Sequence, residues 1–220
     1  MIRFDQWWLP DGEAHLPEWM RQNNRVVDGR LTYQYHKYEG VLTYCPPARR
    51  RVAVDVGAHV GLWSHWMARD FSTLQAFEPS AVNRACWCRN VATSQAVLHP
   101  YALGDQAGQV RIAQQLPGSS GSTAVSMTGD DVEVRTLDSF QFSQVDFLKI
   151  DCEGYEVFVL EGARETLARC RPVVLVEQKP TCGSRYGRDD RAACILLELL
   201  GAELRWSRGG DYCYTFPEAG

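Results

Sequence analysis

No apolar run in this sequence is long enough to cross a bilayer, and none of its eight cysteines forms a Cys-x-x-Cys pair. Cys86 and Cys88 are the closest pair, too tightly spaced for a usual zinc knuckle. Cys152, Cys170 and Cys194 fall in or beside apolar segments, which implies reduced, structural thiols and a cytoplasmic protein. Met1–Trp8 does not read as a secretory leader. Positive charge does not dominate either: 23 Lys and Arg against 27 Asp and Glu leave a net charge of −4. That balance argues against a chain devoted to nucleic acid, and Arg49–Arg51 and Arg185, Arg188 and Arg191 read as solvated faces. Internal repeats and low-complexity linkers are missing too. The expectation is one domain over residues 1–220, with 45% hydrophobic residues to fill its core. Within it, residues 1–45 form an irregular, aromatic-rich extension or lid and residues 46–220 a Rossmann-like core.

What is present is concentrated first at Val52–Gly61. Val52-Ala53-Val54 reads as a strand buried on both faces, followed by Asp55-Val56 and the turn Gly57-Ala58-His59-Val60-Gly61. Glycines at 57 and 61 let the backbone turn sharply and come close to a ligand. The loop lacks the full three-glycine dinucleotide fingerprint and carries an extra acid, Asp55. An acid there repels a pyrophosphate but suits a cation. S-adenosylmethionine, with a sulfonium and an α-ammonium, fits that preference. Glu78 follows Asp55 by 23 residues, which places it at the tip of the next strand within reach of ribose hydroxyls.

Further along, strands are expected at Leu74–Glu78, Ala96–Pro100, Val132–Thr136, Phe147–Asp151 and Val173–Glu177. Helices are expected at Leu62–Arg69, Ser80–Ala92, Tyr155–Ala163 with a further turn to Arg169, and Ala192–Leu200. Such alternation implies a parallel sheet with helices on both faces. Gly118–Ser122 reads as a flexible surface loop or gate, and Gly209-Gly210 as the turn of a closing antiparallel hairpin.

Three blocks then carry a resemblance: Ala76-Phe77-Glu78-Pro79 followed by Asn83 and Asn90; Ala102-Leu103-Gly104-Asp105 before Gly108; and Leu148-Lys149-Ile150-Asp151-Cys152-Glu153-Gly154-Tyr155-Glu156, leading to Val159–Ala163. Together they strongly resemble FkbM-type S-adenosylmethionine-dependent methyltransferases, over roughly residues 38–180. The resemblance implies the class I methyltransferase fold: a mostly parallel seven-stranded sheet, helices on both faces and a C-terminal antiparallel hairpin. It also implies an O-methyltransferase acting on a hydroxyl of a sugar, glycan or similar metabolite. His59 stands where that family often has Asn, and Cys152 where it often has Val.

By position, Asp55, Gly57, Ala58, His59 and Gly61 are expected along the methionine half of the cofactor, Glu78 and Pro79 at the ribose, and Leu103 and Asp105 beside the adenine. Glu39 is either a contact to the cofactor's ammonium or a surface acid. Asp151 is expected to face cofactor and acceptor, and Glu153 and Glu177 to act as base or to orient the acceptor. Lys149, in phase with Asp151, is expected to pair with an acid or to tune it, and His59 is a further candidate base. An alternative for Glu153 is a cap on the following helix. Trp7 and Trp8 are assigned to packing, Tyr33, Tyr35 and His36 to the cofactor entrance. Asp151, Glu153 and Glu177 leave Mg²⁺ binding open, but no metal is predicted. A homodimer is left open, and a membrane partner is not expected. The competing functions are methylation of a nucleic acid or nucleotide, a SAM-binding protein without transfer activity, and a Rossmann-type oxidoreductase.

Overall fold

The computed structural model describes residues 1–217. Seven strands build the main sheet: β1 (Val52–Val56), β2 (Thr73–Phe77), β3 (Ala96–His99), β4 (Phe147–Ile150), β5 (Val173–Glu177), β6 (Glu203–Arg208) and β7 (Asp211–Thr215). Their order across the sheet is β6-β7-β5-β4-β1-β2-β3. All neighbours run parallel except β7, which is antiparallel to β5 and to β6. The Gly209-Gly210 hairpin therefore slots its second strand against β5 and leaves β6 at the edge. This is the sheet of the class I methyltransferase fold.

Every residue of β4 and β5 is buried, which explains why these strands are apolar save for Lys149 and the terminal Glu177. Ala53, Phe147, Val173 and Leu175 face one layer, while Val54, Val56, Leu148, Ile150, Val174 and Val176 face the other. Each such aliphatic side chain contributes about 1.5–3 kcal/mol on burial. The second layer holds α5 (Glu156–Glu161), α6 (Arg164–Cys170) and α7 (Ala192–Leu199), and the first α3 (Leu62–Asp70) and α4 (Ala81–Asn90). Ser80 accepts from Asn83 N and so starts α4. The helix expected over Tyr155–Ala163 with a further turn to Arg169 is two helices, α5 and α6, parted at Gly162-Ala163, where a Cβ on Gly162 would collide with the carbonyl of Gly104.

Two expectations need correcting. Residues 1–45 are not irregular. They form a hairpin of Ile2–Phe4 with Trp7–Leu9, α1 (His15–Asn23), a short hairpin of Val26–Val27 with Arg30–Leu31, and α2 (Tyr35–Leu42). Trp7, Met20, Tyr38 and Val41 are buried in the same layer as α3, so this segment is part of the core. Pro17 is tolerated because it lies in the first turn of α1, where its missing N–H breaks no helical bond. Asn90 fastens the segment in place: it donates to Trp8 O at 2.8 Å and Val60 O at 2.7 Å, and accepts from Trp8 N at 2.8 Å.

The second correction concerns Gly118–Ser122. Ser119–Ser126 is a strand paired antiparallel with Gly108–Leu116 in a four-stranded sheet completed by Asp130–Arg135 and Ala102–Leu103. The small polar residues look loop-like, but Ser122 donates to Ser119 O at 2.7 Å and accepts from Leu116 N at 2.9 Å across a bulge. This sheet stands over the carboxyl ends of β1, β2 and β4 and supplies one wall of the cleft described next.

Candidate functional site

The carboxyl ends of β1, β2 and β4 open into a cleft, the place where open α/β sheets take their ligands. Its base is the loop after β1. Gly57 has φ 75°, and a Cβ there would collide with the carbonyl oxygen of Asp151. Gly61 has φ 90°, but its Cβ would meet Val91 and Trp87 at 2.8 and 2.9 Å. Only Gly57 lines the cleft; Gly61, and the buried Ala58 beside it, lie outside the wall. The second glycine thus leaves room for the packing of Val91 and Trp87.

Glu78 sits at the tip of β2 as expected and lines the cleft together with Pro79. Its carboxylate accepts from His59 N and Ser80 N, each at 2.8 Å, and burial raises its pKa. Beyond it the wall turns apolar at Leu103, Tyr101, Ile112 and Tyr155, a surface suited to a flat aromatic ring. Asp105 is exposed and outside that wall. Glu39 is also elsewhere, engaged with Arg25 at 2.6 Å on the exposed face of α2, so the surface-acid reading describes it.

Asp55 does not reach the cleft. It is fully buried below the loop, accepting from Ser64 Oγ at 2.6 Å, with Lys149 Nζ 3.5 Å from its other oxygen. Trp87 Nε1 donates to Ser64 Oγ at 2.8 Å and closes the network. The acid expected to face a cationic ligand faces an internal cation instead.

The carboxylates of Asp151, Glu153 and Glu177 do converge, with oxygens within 4.8 Å of one another. Asp151 and Glu153 line the cleft, while Glu177 stands behind them, buried. Lys179 Nζ bridges Glu153 at 2.7 Å and Glu177 at 2.6 Å, so an ammonium of the same chain meets the charge that a divalent ion would meet. Burial opposes ionisation of Asp151, yet Lys149 at 3.3 Å and Lys179 hold its pKa well below the usual range. Burial and the neighbouring Asp151 charge push Glu153 and Glu177 up. Glu153 adopts φ 54°, a strained conformation for a non-glycine residue. It is not the helix cap. The N-cap of α5 is Tyr155, with no side-chain cap bond, and Glu156 instead accepts from Cys152 N and Gly154 N, at 2.9 Å each, in the turn before the helix.

Tyr33 sits close enough to this cluster that, with burial, Asp151 and Glu177 raise its pKa. Tyr35 and Trp7 pack against Trp66 instead, and His36 is not on the cleft wall. Two polar residues went unnoticed in the sequence: Ser120, on the cleft wall, and Glu13, buried behind it. His59 Nε2 lies 2.7 Å from Ser120 Oγ, and Ser120 N donates to Glu13 Oε2 at 2.7 Å. Glu13 stands alone among residues without periodicity, so no sequence signal marks it.

Residues 55–199 match the model of the methyltransferase FkbM domain. Among characterised sequences the chain is similar to Methyltransferase 1 of Beauveria bassiana (strain ARSEF 2860), 27% identical over 180 residues, 67% of this chain and 70% of that protein. The fold is similar to that of the FkbM methyltransferase of Methylobacillus flagellatus KT (TM-score 0.52, 18% identity), covering 92% of this chain but spanning only 59% of that one. It is also similar to the O-methyltransferase TomG of Streptomyces achromogenes, solved in complex with SAM (TM-score 0.50, 13% identity, covering 95% and 89%). At these identities the solved structures speak to the fold alone. No helix among the described residues is long and apolar enough to cross a membrane.

Proposed function

The chain belongs to the FkbM methyltransferase family, and on that premise we propose an S-adenosylmethionine-dependent O-methyltransferase acting on a hydroxyl of a sugar, glycan or other hydroxylated metabolite. The observation that carries this reading is Glu78 and Asp151 on one cleft wall, on either side of the Gly57–His59 turn. The residues fit the cofactor. Glu78 offers carboxylate oxygens to a ribose, Leu103, Tyr101 and Ile112 an apolar slot for adenine, and Asp151 a held negative charge for an ammonium. When bound, the cofactor supplies a methyl group already activated by its sulfonium.

The chain's own work is then to position an acceptor and take its proton. Glu153 suits the second task, since it lines the cleft and burial and Asp151 raise its pKa. Asp151, kept ionised by two lysines, orients. Glu177, behind the wall, holds Lys179 in place and through it Glu153.

Calorimetric titration with S-adenosylhomocysteine, with NAD in parallel, tests the reading. Micromolar binding of the first and none of the second is expected. Binding of NAD alone, or of neither by folded protein, would overturn it.

A further inference from the structure

Apart from the acid cluster, two side chains of the cleft wall, His59 and Ser120, are joined in series to Glu13 behind it, and the three come from distant parts of the sequence. His59 Nε2 meets Ser120 Oγ at 2.7 Å, and Ser120 Oγ donates in turn to Glu13 Oε2. Ser120 N donates to the same oxygen at 2.7 Å, and Leu16 N donates to Glu13 Oε1 at 2.9 Å at the start of α1. Glu13 and Ser120 are both buried.

Proton positions follow from counting donors. A carboxylate only accepts, and although burial opposes it, Ser120 and Leu16 hold Glu13 below its ordinary pKa, hence ionised. A serine hydroxyl has one proton, and here it points at Glu13. Toward His59 the same oxygen can only accept, so the histidine must carry its proton on Nε2. Burial pushes the imidazole down to about 4, so it is neutral at neutral pH and Nδ1 bears a lone pair. Among the described residues Nδ1 has no hydrogen-bond partner, and the ring lines the cleft alongside Gly57 and Asp151.

The structure assigns Glu13 and Ser120 as positioning residues that lock His59 in its Nε2–H tautomer and so present Nδ1 as an acceptor for a ligand ammonium. The ammonium is that of the cofactor's amino-acid end, an identification that rests on the function proposed above. The opposite tautomer would aim an N–H at that group and repel it. The chain thereby gives its amino-terminal segment a task inside the cleft.

Long-range ¹H–¹⁵N spectra of the imidazole nitrogens, with His59 identified by its loss in His59→Gln, read the tautomer directly. The native protein is expected to show Nε2–H, and Ser120→Ala and Glu13→Gln a mixture. In parallel, S-adenosylhomocysteine is titrated against 5′-methylthioadenosine, which shares the nucleoside but lacks the amino acid. Ser120→Ala is expected to weaken the first about tenfold and leave the second unchanged, and Ser120→Thr, which keeps the hydroxyl, to restore it. Should Glu13→Gln fail to fold, the two serine variants carry the test. Nδ1–H in the native protein, or equal weakening of both ligands, overturns the inference while the cofactor reading stands. Native protein that binds neither ligand removes the cofactor and the ammonium role together, and the ring spectra still decide the lock.

Discussion

Lys149 stands directly opposite Asp55 in the pairing of β4 with β1, and its ammonium lies 3.5 Å from the Asp55 carboxylate. Both side chains are almost completely buried, and Lys149 also reaches Asp151 at 3.3 Å and lies 5.6 Å from the centre of the Trp63 ring. One lysine therefore links the sheet interior to the cleft.

Removing one partner leaves the other as an uncompensated buried charge. Lys149→Met is expected to lose about 3–5 kcal/mol of stability in chemical denaturation, and adding Asp55→Asn to recover part of that loss. Asp55→Asn alone is expected to lower stability more than it lowers affinity for S-adenosylhomocysteine.

Glu78 is the contrary case, since its carboxylate lies on the cleft wall. Glu78→Gln keeps the shape but removes the charge that the proposed function assigns to the cofactor's ribose. Calorimetry is expected to show affinity falling about 10- to 100-fold, in line with about 1.5–3 kcal/mol per hydrogen bond to a charged group.

Gly57 and Gly61 separate in the same way. Gly57→Ala drives a methyl into the Asp151 backbone, whereas Gly61→Ala meets side chains of Val91 and Trp87. Both are left-handed positions that strain alanine. Melting curves are expected to show both variants destabilised, Gly57→Ala more so because backbone yields less than side chains, and only Gly57→Ala to distort the cleft.

Glu153→Gln is expected to leave S-adenosylhomocysteine binding within about twofold and to lower methyl transfer by about 10²–10⁴-fold, the usual contribution of a general base. The pH–rate profile should lose its acidic limb in the variant. An unchanged rate would remove Glu153 from the role of base.

Glu156 yields a pH dependence of stability. Burial raises its pKa to about 7 from an ordinary 4.5, so its proton is bound more tightly in the folded chain. That stabilisation is complete below about pH 4.5 and is lost as pH rises toward 7 and beyond. Glu156→Gln, which still accepts from Cys152 N and Gly154 N, does not lose it. Relative to the native protein, the variant is expected to be more stable at pH 8 than at pH 5 in denaturant titrations.

Much of the site was legible because it is local. The apolar runs at β1, β4 and β5 announce themselves through burial on both faces, and Glu78 follows from the length of one strand–helix–strand unit. The placement of Asp151 and Glu153 follows from the end of the apolar strand β4, while their convergence with Glu177 is set by the pairing of β4 with β5. Where the reading failed, the deciding contacts were distant. Asp55 was aimed at a ligand because nothing nearby in sequence pairs with it, and Lys149 is brought to it only by sheet register. Gly61 owes its smallness to Trp87 and Val91 on another helix. The amino-terminal segment reads as irregular because its elements are short and its large aromatics anchor it singly, at Trp7, Tyr35 and Tyr38, against α3.

By itself the sequence determined the family, the alternation of strands and helices that builds the main sheet, and the acids at the strand tips. Hydrophobic period and turn chemistry act over a few residues and need no partner elsewhere. Tertiary structure alone decided which acids face the cleft and which are neutralised inside the protein, that Lys179 sits among three carboxylates, and that Glu13 and Ser120 stand behind His59. Charge pairing and proton placement depend on distances between side chains far apart along the chain, and only the packed fold sets those distances.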